Sequence, residues 1–358
     1  MHLAFGAIPL SYPGMSDEIH IRREGRAGRI TLNRTRALNA LTLPMIQAIL
    51  DAITAWATDR AVHLIVIDAA GDRAFCAGGD LAALYAAGQR GDYDAGRHFW
   101  QTEYRMNLAI ATSVKPVVTL MQGYVMGGGV GLGCHAALRI TDPDATFALP
   151  ETKIGLIPDA GGSWLLAHAP GRMGEYLGST GSRFGAADAV WLGLADRLIP
   201  DEEWPALIAR LCKTGRTDGL PMGEPPHAQL AAHLDEVNAY FAGETLKDII
   251  VALAEADTPF AQDCLTALAD VSPLAAAAAV EMMHRLDDQP TLPQALDLEY
   301  RFAFRAQEKA DLLQGIRAMV IDKDRNPTWR HSDITEVTET DVARLLAPLG
   351  EAALKLEG

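Results

Sequence analysis

The apolar residues Leu43, Ile46, Leu50, Ile53 and Ala57 recur at helical spacing. Thr42 precedes them as a capping hydroxyl, and Pro44 stands in the first turn. This predicts one helix of about four turns. A short continuous apolar run, His63–Asp68, closes at Gly71 and reads as a buried strand, as does Pro116–Leu120, whose proline sits where a missing N–H does least harm. Glu18–Glu24 and Arg29–Asn33 flank Gly25 and Gly28 and predict a hairpin. A further helix is expected over Asp94–Thr112. Strand and helix thus alternate to roughly residue 200, the signature of parallel β/α units. Beyond Pro200 the strands stop. Pro221, Pro225 and Pro226 mark a linker, and Gln229–Ala242, Leu246–Ala256, Phe260–Ala269, Leu274–Leu286 and Pro293–Lys309 all read as helices. The expected organisation is a leader over residues 1–16, an α/β core over 17–212 and a helical part over 213–358. The leader is mildly apolar without a basic start, so it reads as a disordered segment rather than a signal peptide, with Met1 and Met15 both open as the natural start.

Composition narrows the function classes. The 358 residues are 49% apolar and 22% charged, which excludes wholesale disorder. A formal net charge of −15 argues against nucleic acid or an anionic membrane as partner. No apolar run reaches the roughly 18 residues of a membrane span. Cys76, Cys134, Cys212 and Cys264 are widely spread without paired spacing, so buried reduced thiols are expected, and neither a disulfide nor a metal site. The ten histidines form no ligand pair. A cytoplasmic chain is expected.

Three stretches could carry chemistry. Phe75-Cys-Ala-Gly-Gly-Asp80 offers bare backbone before an apolar helix, either a tight turn or a place where N–H groups meet a ligand. Gly123-Tyr-Val-Met-Gly-Gly-Gly-Val-Gly-Leu-Gly133 follows a predicted strand but lacks the G-x-G-x-x-G register of a dinucleotide loop. Glycine this dense points to close helix packing or to an anion site, and spacing alone does not choose. In Leu149-Pro-Glu-Thr-Lys-Ile-Gly-Leu-Ile-Pro-Asp-Ala-Gly-Gly162, Glu151 and Asp159 stand in an apolar loop. Two carboxyls there either satisfy backbone N–H groups or divide acid, base and nucleophile roles. A quieter feature is Glu103, which falls on an apolar stripe with Trp100, Tyr104, Leu108 and Ala111; an acid on a core-facing stripe is costly unless paired or functional. No G-x-S-x-G elbow, P-loop or H-E-x-x-H pattern occurs.

The ordered set Leu32-Asn-Arg34, Asn39-Ala-Leu41, Ala74–Asp80, Met126-Gly-Gly-Gly129, Pro150-Glu151, Gly155-Leu-Ile-Pro158 and Gly161-Gly162 resembles the crotonase (enoyl-CoA hydratase/isomerase) superfamily over nearly the whole chain. Within it, Pro150-Glu-Thr152, Ile157–Gly162 and Gly315-Ile-Arg-Ala-Met-Val-Ile-Asp-Lys-Asp324 look like the 3-hydroxyisobutyryl-CoA hydrolase family. The resemblance implies a crotonase-like ββα spiral followed by an α-helical C-terminal part that closes an acyl pocket. It implies an oxyanion hole from the N–H groups of Gly79 and Gly128, which suits a thioester carbonyl gaining negative charge. Hydratases of the superfamily carry two glutamates. This chain keeps one as Glu151 and has Gly131 in place of the other, so hydration is disfavoured, and a glutamate restored at Gly131 is expected to bring back a trace of it.

The implied reaction is hydrolysis of a short hydroxyacyl-CoA, most simply 3-hydroxyisobutyryl-CoA to 3-hydroxyisobutyrate and CoA, a step of valine catabolism. Glu151 would attack the thioester or activate water. Asp159 would orient Glu151 or water, or protonate the leaving thiolate, and Glu103 would bind the substrate hydroxyl. No cofactor is implied, since CoA belongs to the substrate, and the partner is a small acyl-CoA; a homo-oligomer stays open. The rivals are an enoyl-CoA isomerase or hydratase and a non-catalytic acyl-CoA-binding scaffold. CoA is polyanionic, so a chain of this net charge must gather local cations and N–H donors at its phosphates.

Overall fold

The expected hairpin forms as β1 (Ile19–Glu24) and β2 (Ala27–Leu32), paired antiparallel with Gly25 in the turn at φ 60°. A computed structural model describes residues 17–220, 227–286 and 290–357. The leader and the Pro221, Pro225 and Pro226 linker lie outside the described residues. Thr42 accepts from the N–H of Met45 and caps α1 (Leu43–Thr58). The chain then runs through β3 (Leu64–Ala69) and β4 (Ala74–Cys76) into α2 (Leu81–Gln89) and α3 (Tyr93–Ala111). Next come β5 (Val117–Met121), β6 (Tyr124–Met126) and α4 (Gly128–Cys134), and a third pass through β7 (Leu138–Thr141), β8 (Thr146–Ala148) and α5 (Gly162–Ala167). After α6 (Met173–Thr180), β9 (Arg183–Gly185) and α7 (Ala186–Trp191), the short β10 (Arg197–Leu198) leads to α8 (Trp204–Thr214).

Each pass places one strand in a six-stranded sheet, order β1-β2-β3-β5-β7-β10, and the next in a four-stranded sheet, order β4-β6-β8-β9. From β2 to β10 the large sheet is parallel, and β9 alone runs antiparallel in the small one. This is the expected ββα spiral. The large sheet is covered on both faces. Ile65 and Ile67 of β3 enter the main core, whereas Leu64 and Val66 meet Trp204, Leu207 and Leu211 of α8. Burial on both faces explains why β3 and β5 are continuous apolar runs.

The C-terminal part is helical, as expected: α9 (Leu234–Tyr240), α10 (Leu246–Ala256), α11 (Pro259–Ala269), α12 (Pro273–Arg285), α13 (Leu292–Lys309), α14 (Leu312–Ile316) and α15 (Glu339–Leu345). It packs on the spiral through α12 against α6 and α13 against α3. Three expectations need correction. Gln229–Ala242 is a 3₁₀ turn, Leu230–His233, followed by the short α9. The buried centre of α1 is Met45, Ile49, Ala52 and Trp56 with Ile46 and Ile53; Leu50 and Ala57 lie at its edge because the face is wider than a one-residue stripe. On α3, Ala111 is exposed and Leu108 only half-buried, since the helix turns its Phe99, Glu103, Met106 and Ile110 face inward.

Candidate active site

A cavity of about 250 Å³ opens between the spiral and the C-terminal helices. Gly79, Glu103, Gly128, Glu151 and Asp159, the five residues singled out from the sequence, all line it, joined by Leu312 and Met319 from the C-terminal part. The sequence places them on four separate segments, so their meeting is a product of the spiral.

The two glycines come from equivalent ends of adjacent passes. On either side of Gly79 the backbone is pinned to Leu41: Leu41 N–H donates to Gly78 O (2.8 Å), and Asp80 N–H donates to Leu41 O (2.8 Å). Gly128 opens α4, where the first N–H groups have no intrahelical acceptor. A Cβ built on Gly128 would stand 3.6 Å from the Gly79 nitrogen and would collide with Glu103 Oε1. Two free N–H groups therefore border one small volume, and a carboxyl lies against it. The preceding Gly127 has φ 54° and ψ −124°, a conformation reserved for glycine, which turns β6 into the helix. The remaining glycines of α4 serve packing. A Cβ on Gly131 would approach Ala160 O to 2.5 Å and Asn107 Nδ2 to 3.1 Å, and Gly129 abuts the Cys76 carbonyl. Close packing, one of the two readings of this glycine-rich run, holds for its later half, and Gly127 and Gly128 leave bare backbone at the cavity.

Glu103, Glu151 and Asp159 are all buried, at 2%, 5% and 4% exposure. Glu151 sits in a 3₁₀ turn, Glu151–Ile154, and neither of its carboxyl oxygens has a hydrogen-bond partner; Glu103 Oε1 also has none. Unpaired buried acids are expensive, so an acid left in this state is a candidate for ligand binding or chemistry. Asp159 Oδ2 accepts from the Tyr104 hydroxyl at 3.0 Å. Burial pushes Asp159 up to about 7, opposed by the Tyr104 bond. Burial also drives Glu151 and Glu103 well above the ordinary carboxylate range, and the neighbouring Asp159 adds to both.

A fourth acid belongs to this cluster and escaped the sequence reading. Glu299 on α13 is fully buried; it accepts from Gly161 N–H (2.9 Å), from Ser163 N–H (3.0 Å) and from the Ser163 hydroxyl. Burial raises it to about 8. A signal existed: Glu299 shares a helical face with Ala295, Leu296, Phe302, Ala303 and Ala306, the same pattern that marked Glu103. Along the chain Tyr104 is only a member of the apolar stripe of α3; its bond to Asp159 joins residues 55 positions apart. At the rim, Lys153 and Arg183 bring positive charge to the cavity. The four cysteines are free and buried, and no cluster of potential metal ligands occurs among the described residues. No single described helix is long and apolar enough to cross a membrane.

The enoyl-CoA hydratase/isomerase family model matches residues 27–346. The chain belongs to this family. Curated relatives within it include the mitochondrial 3-hydroxyisobutyryl-CoA hydrolases of Gallus gallus, 34% identical over 95% of this chain and 91% of theirs, and of Xenopus tropicalis, 36% identical over the same shares. An enoyl-CoA hydratase from Rhodobacter sphaeroides is a solved structural match with TM-score 0.92 at 52% identity, covering 95% of this chain and 100% of that one. A carnitinyl-CoA dehydratase from Mycobacterium thermoresistibile matches with TM-score 0.91 at 36% identity over 96% and 100%. The vertebrate hydrolases are named as mitochondrial, so the cytoplasmic expectation draws no support from them. This crotonase-family chain thus has relatives named for two chemistries, hydrolysis of a thioester and addition or removal of water.

Proposed function

We propose that the protein hydrolyses a short hydroxyacyl-CoA thioester, with 3-hydroxyisobutyryl-CoA as substrate and 3-hydroxyisobutyrate and CoA as products, the step that frees the acid in valine catabolism. The observation that carries this reading is Gly131. Its Cα is packed against Ala160 and Asn107, so α4 offers no acid to pair with Glu151 across a double bond, while Asp159 lies in the same cavity. In this reading the Gly79 and Gly128 N–H groups receive the thioester oxygen as it gains charge. Glu151 delivers the nucleophile in its ionised form, which burial makes scarcer and more basic: either its own carboxylate oxygen, forming a mixed anhydride that water then opens, or a water it deprotonates. Asp159, at about 7, is poised to return a proton to the departing CoA sulfur at neutral pH. Water supplies the hydroxyl of the acid and the hydrogen of the thiol. Glu103 receives the substrate's own hydroxyl, and Lys153 and Arg183 at the rim attract the CoA phosphates.

Glu151→Gln tests the centre of the mechanism. It is expected to lower kcat by about 10³ or more while leaving KM within a few-fold, the pattern of a group used only in the transition state. Near-normal thiol release by this variant would remove the proposed chemistry. A single turnover in ¹⁸O-water tests for the anhydride: label in Glu151 shows that one formed and was opened at the Glu151 carbonyl, whereas direct attack by water labels the product acid alone. A second reading, hydration of an enoyl-CoA, is favoured by the names of the two solved structures and predicts brisk conversion of crotonyl-CoA by the unaltered protein.

A further inference from the structure

Asp159 is followed by a turn that the chain would not adopt unaided. Ala160 has φ 55° and Gly161 φ 79°, two successive left-handed residues, the first of them carrying a Cβ. Three separate elements hold this turn. From α3, Asn107 Nδ2 donates to the Ala160 carbonyl at 2.9 Å. From the end of α4, His135 Nε2 lies 3.0 Å from the same carbonyl, which can only accept, so that nitrogen carries the proton. From the opposite side, Glu299 accepts the Gly161 and Ser163 amides and the Ser163 hydroxyl. No cation pairs with Glu299 among the described residues, so amide and hydroxyl donors alone compensate its carboxylate. A buried acid bound in this way costs the fold desolvation energy that an apolar residue at the same position would avoid.

We propose that Glu299 is a positioning residue for Asp159. By holding the two amides that follow the strained Ala160 turn, it keeps the Asp159 carboxyl directed into the cavity beside Glu151, and so couples the C-terminal helix α13 to the chemistry. The inference rests on the hydrolase reading given above. Glutamate is suited to the task because in its ionised form both oxygens accept, and the Gly161 and Ser163 donors favour that form against the burial that raises its pKa to about 8. A glutamine of the same shape would turn an amide NH₂ toward an N–H donor on one side and break half of the clamp.

The test is a double-mutant cycle on hydrolysis of 3-hydroxyisobutyryl-CoA, followed by free thiol and run well below each variant's melting temperature. Glu299→Gln is expected to reduce kcat roughly 10- to 100-fold with KM within about twofold, the scale of a misplaced reacting group. In an Asp159→Asn background the same substitution should change kcat by less than about twofold, because its effect runs through Asp159. Wild-type kcat in Glu299→Gln, or an equal loss in both backgrounds, overturns the proposal and leaves Glu299 as a structural acid. If Glu299→Gln fails to fold, Ser163→Ala keeps both amide contacts and removes only the hydroxyl; a several-fold kcat loss that vanishes with Asp159→Asn supports the inference, and an unchanged kcat opposes it. Full turnover by Asp159→Asn overturns both this inference and the role given to Asp159. The hydrolase reading itself stands or falls separately, on Glu151→Gln.

Discussion

Asp159 titrates near 3.8 in an unfolded chain and about 7 in the folded one, because ionising a buried carboxyl is costly. A raised acid pKa means that the folded state binds more protons than the unfolded one between these values, so stability contributed by the protonated form is full below pH 3.8 and is lost as pH rises through about 7. Glu299, shifted from 4.5 to about 8, has the same sign. His135 is lowered from 6.5 to about 4 by burial and opposes them, since its stabilising neutral form is lost as pH falls. Asp159→Asn should therefore raise Tm at pH 8 relative to the unaltered protein, with the gain gone at pH 4; calorimetry at the two values checks it. The same variant should lose the basic limb near pH 7 from the kcat profile. Glu103 is a residue-scale case of another kind. If it receives the substrate hydroxyl, Glu103→Gln should weaken kcat/KM for 3-hydroxyisobutyryl-CoA by about 1–3 kcal/mol more than for isobutyryl-CoA, the cost of a badly matched buried polar contact. Equal losses for both thioesters, together with a lower Tm, would mean that Glu103 supports α3 and nothing else.

At the scale of the element, α4 shows how glycine spacing divides its work. Gly127 and Gly128 leave the mouth of the helix bare, whereas Gly129, Gly131 and Gly133 let its body lie against β4, the Ala160 turn and β5. The sequence alone suggested that glutamate at Gly131 would restore hydration. The packing argues against it: a Cβ at this position would stand 2.5 Å from Ala160 O and 2.7 Å from Ala160 Cβ, so the Asp159 turn or the helix would have to shift. Gly131→Glu should instead lower Tm, by the equivalent of about 1–3 kcal/mol or more for an overpacked core. It should also reduce thioester hydrolysis by displacing Asp159, without hydrating crotonyl-CoA above the background of the unaltered protein. Appearance of hydratase turnover in this variant would show that the helix can move aside.

Across the whole molecule, one apolar core runs from Ile19 of the spiral to Leu346 near the C-terminus. The helical part is not an appendage; α13 supplies Glu299 to the site and α14 supplies Leu312 to the cavity wall. Charge has the same global character. With a formal net charge of −15, attraction for a polyanionic substrate must be local, and Lys153 and Arg183 are the cations at the rim. Lys153→Ala should raise KM several-fold for the CoA thioester at low salt and much less at high salt, where screening has already weakened the contact. It should leave KM unchanged for the corresponding N-acetylcysteamine thioester, which has no phosphates. Equal effects on both substrates would locate Lys153 in the wall and not at the phosphates.

The sequence by itself determined the buried strands β3 and β5, the capped helix α1, most of the C-terminal helices and all five residues first assigned to the cavity. The elements are local matters of apolar periodicity and a capping hydroxyl, and the acids stood out of place in apolar surroundings, whereas Gly79 and Gly128 came from the ordered family motifs and not from any local pattern. The small sheet was illegible, since its strands are three residues long and none can display a period of two. Spacing could not say whether α4 was glycine-rich for packing or for a ligand, because that depends on what lies opposite each Cα. Only the tertiary structure decided that Tyr104 would reach Asp159, that Asn107, His135 and Glu299 would grip the turn beside it, and that Glu103, Glu151 and Asp159 would line one cavity with Glu299 buried behind that turn. Those contacts join residues 25 to 138 positions apart, and no local pattern encodes them. They arise when the spiral stacks its passes and α13 folds back across them, which is also what withdraws the acids from water and moves Asp159 to about 7.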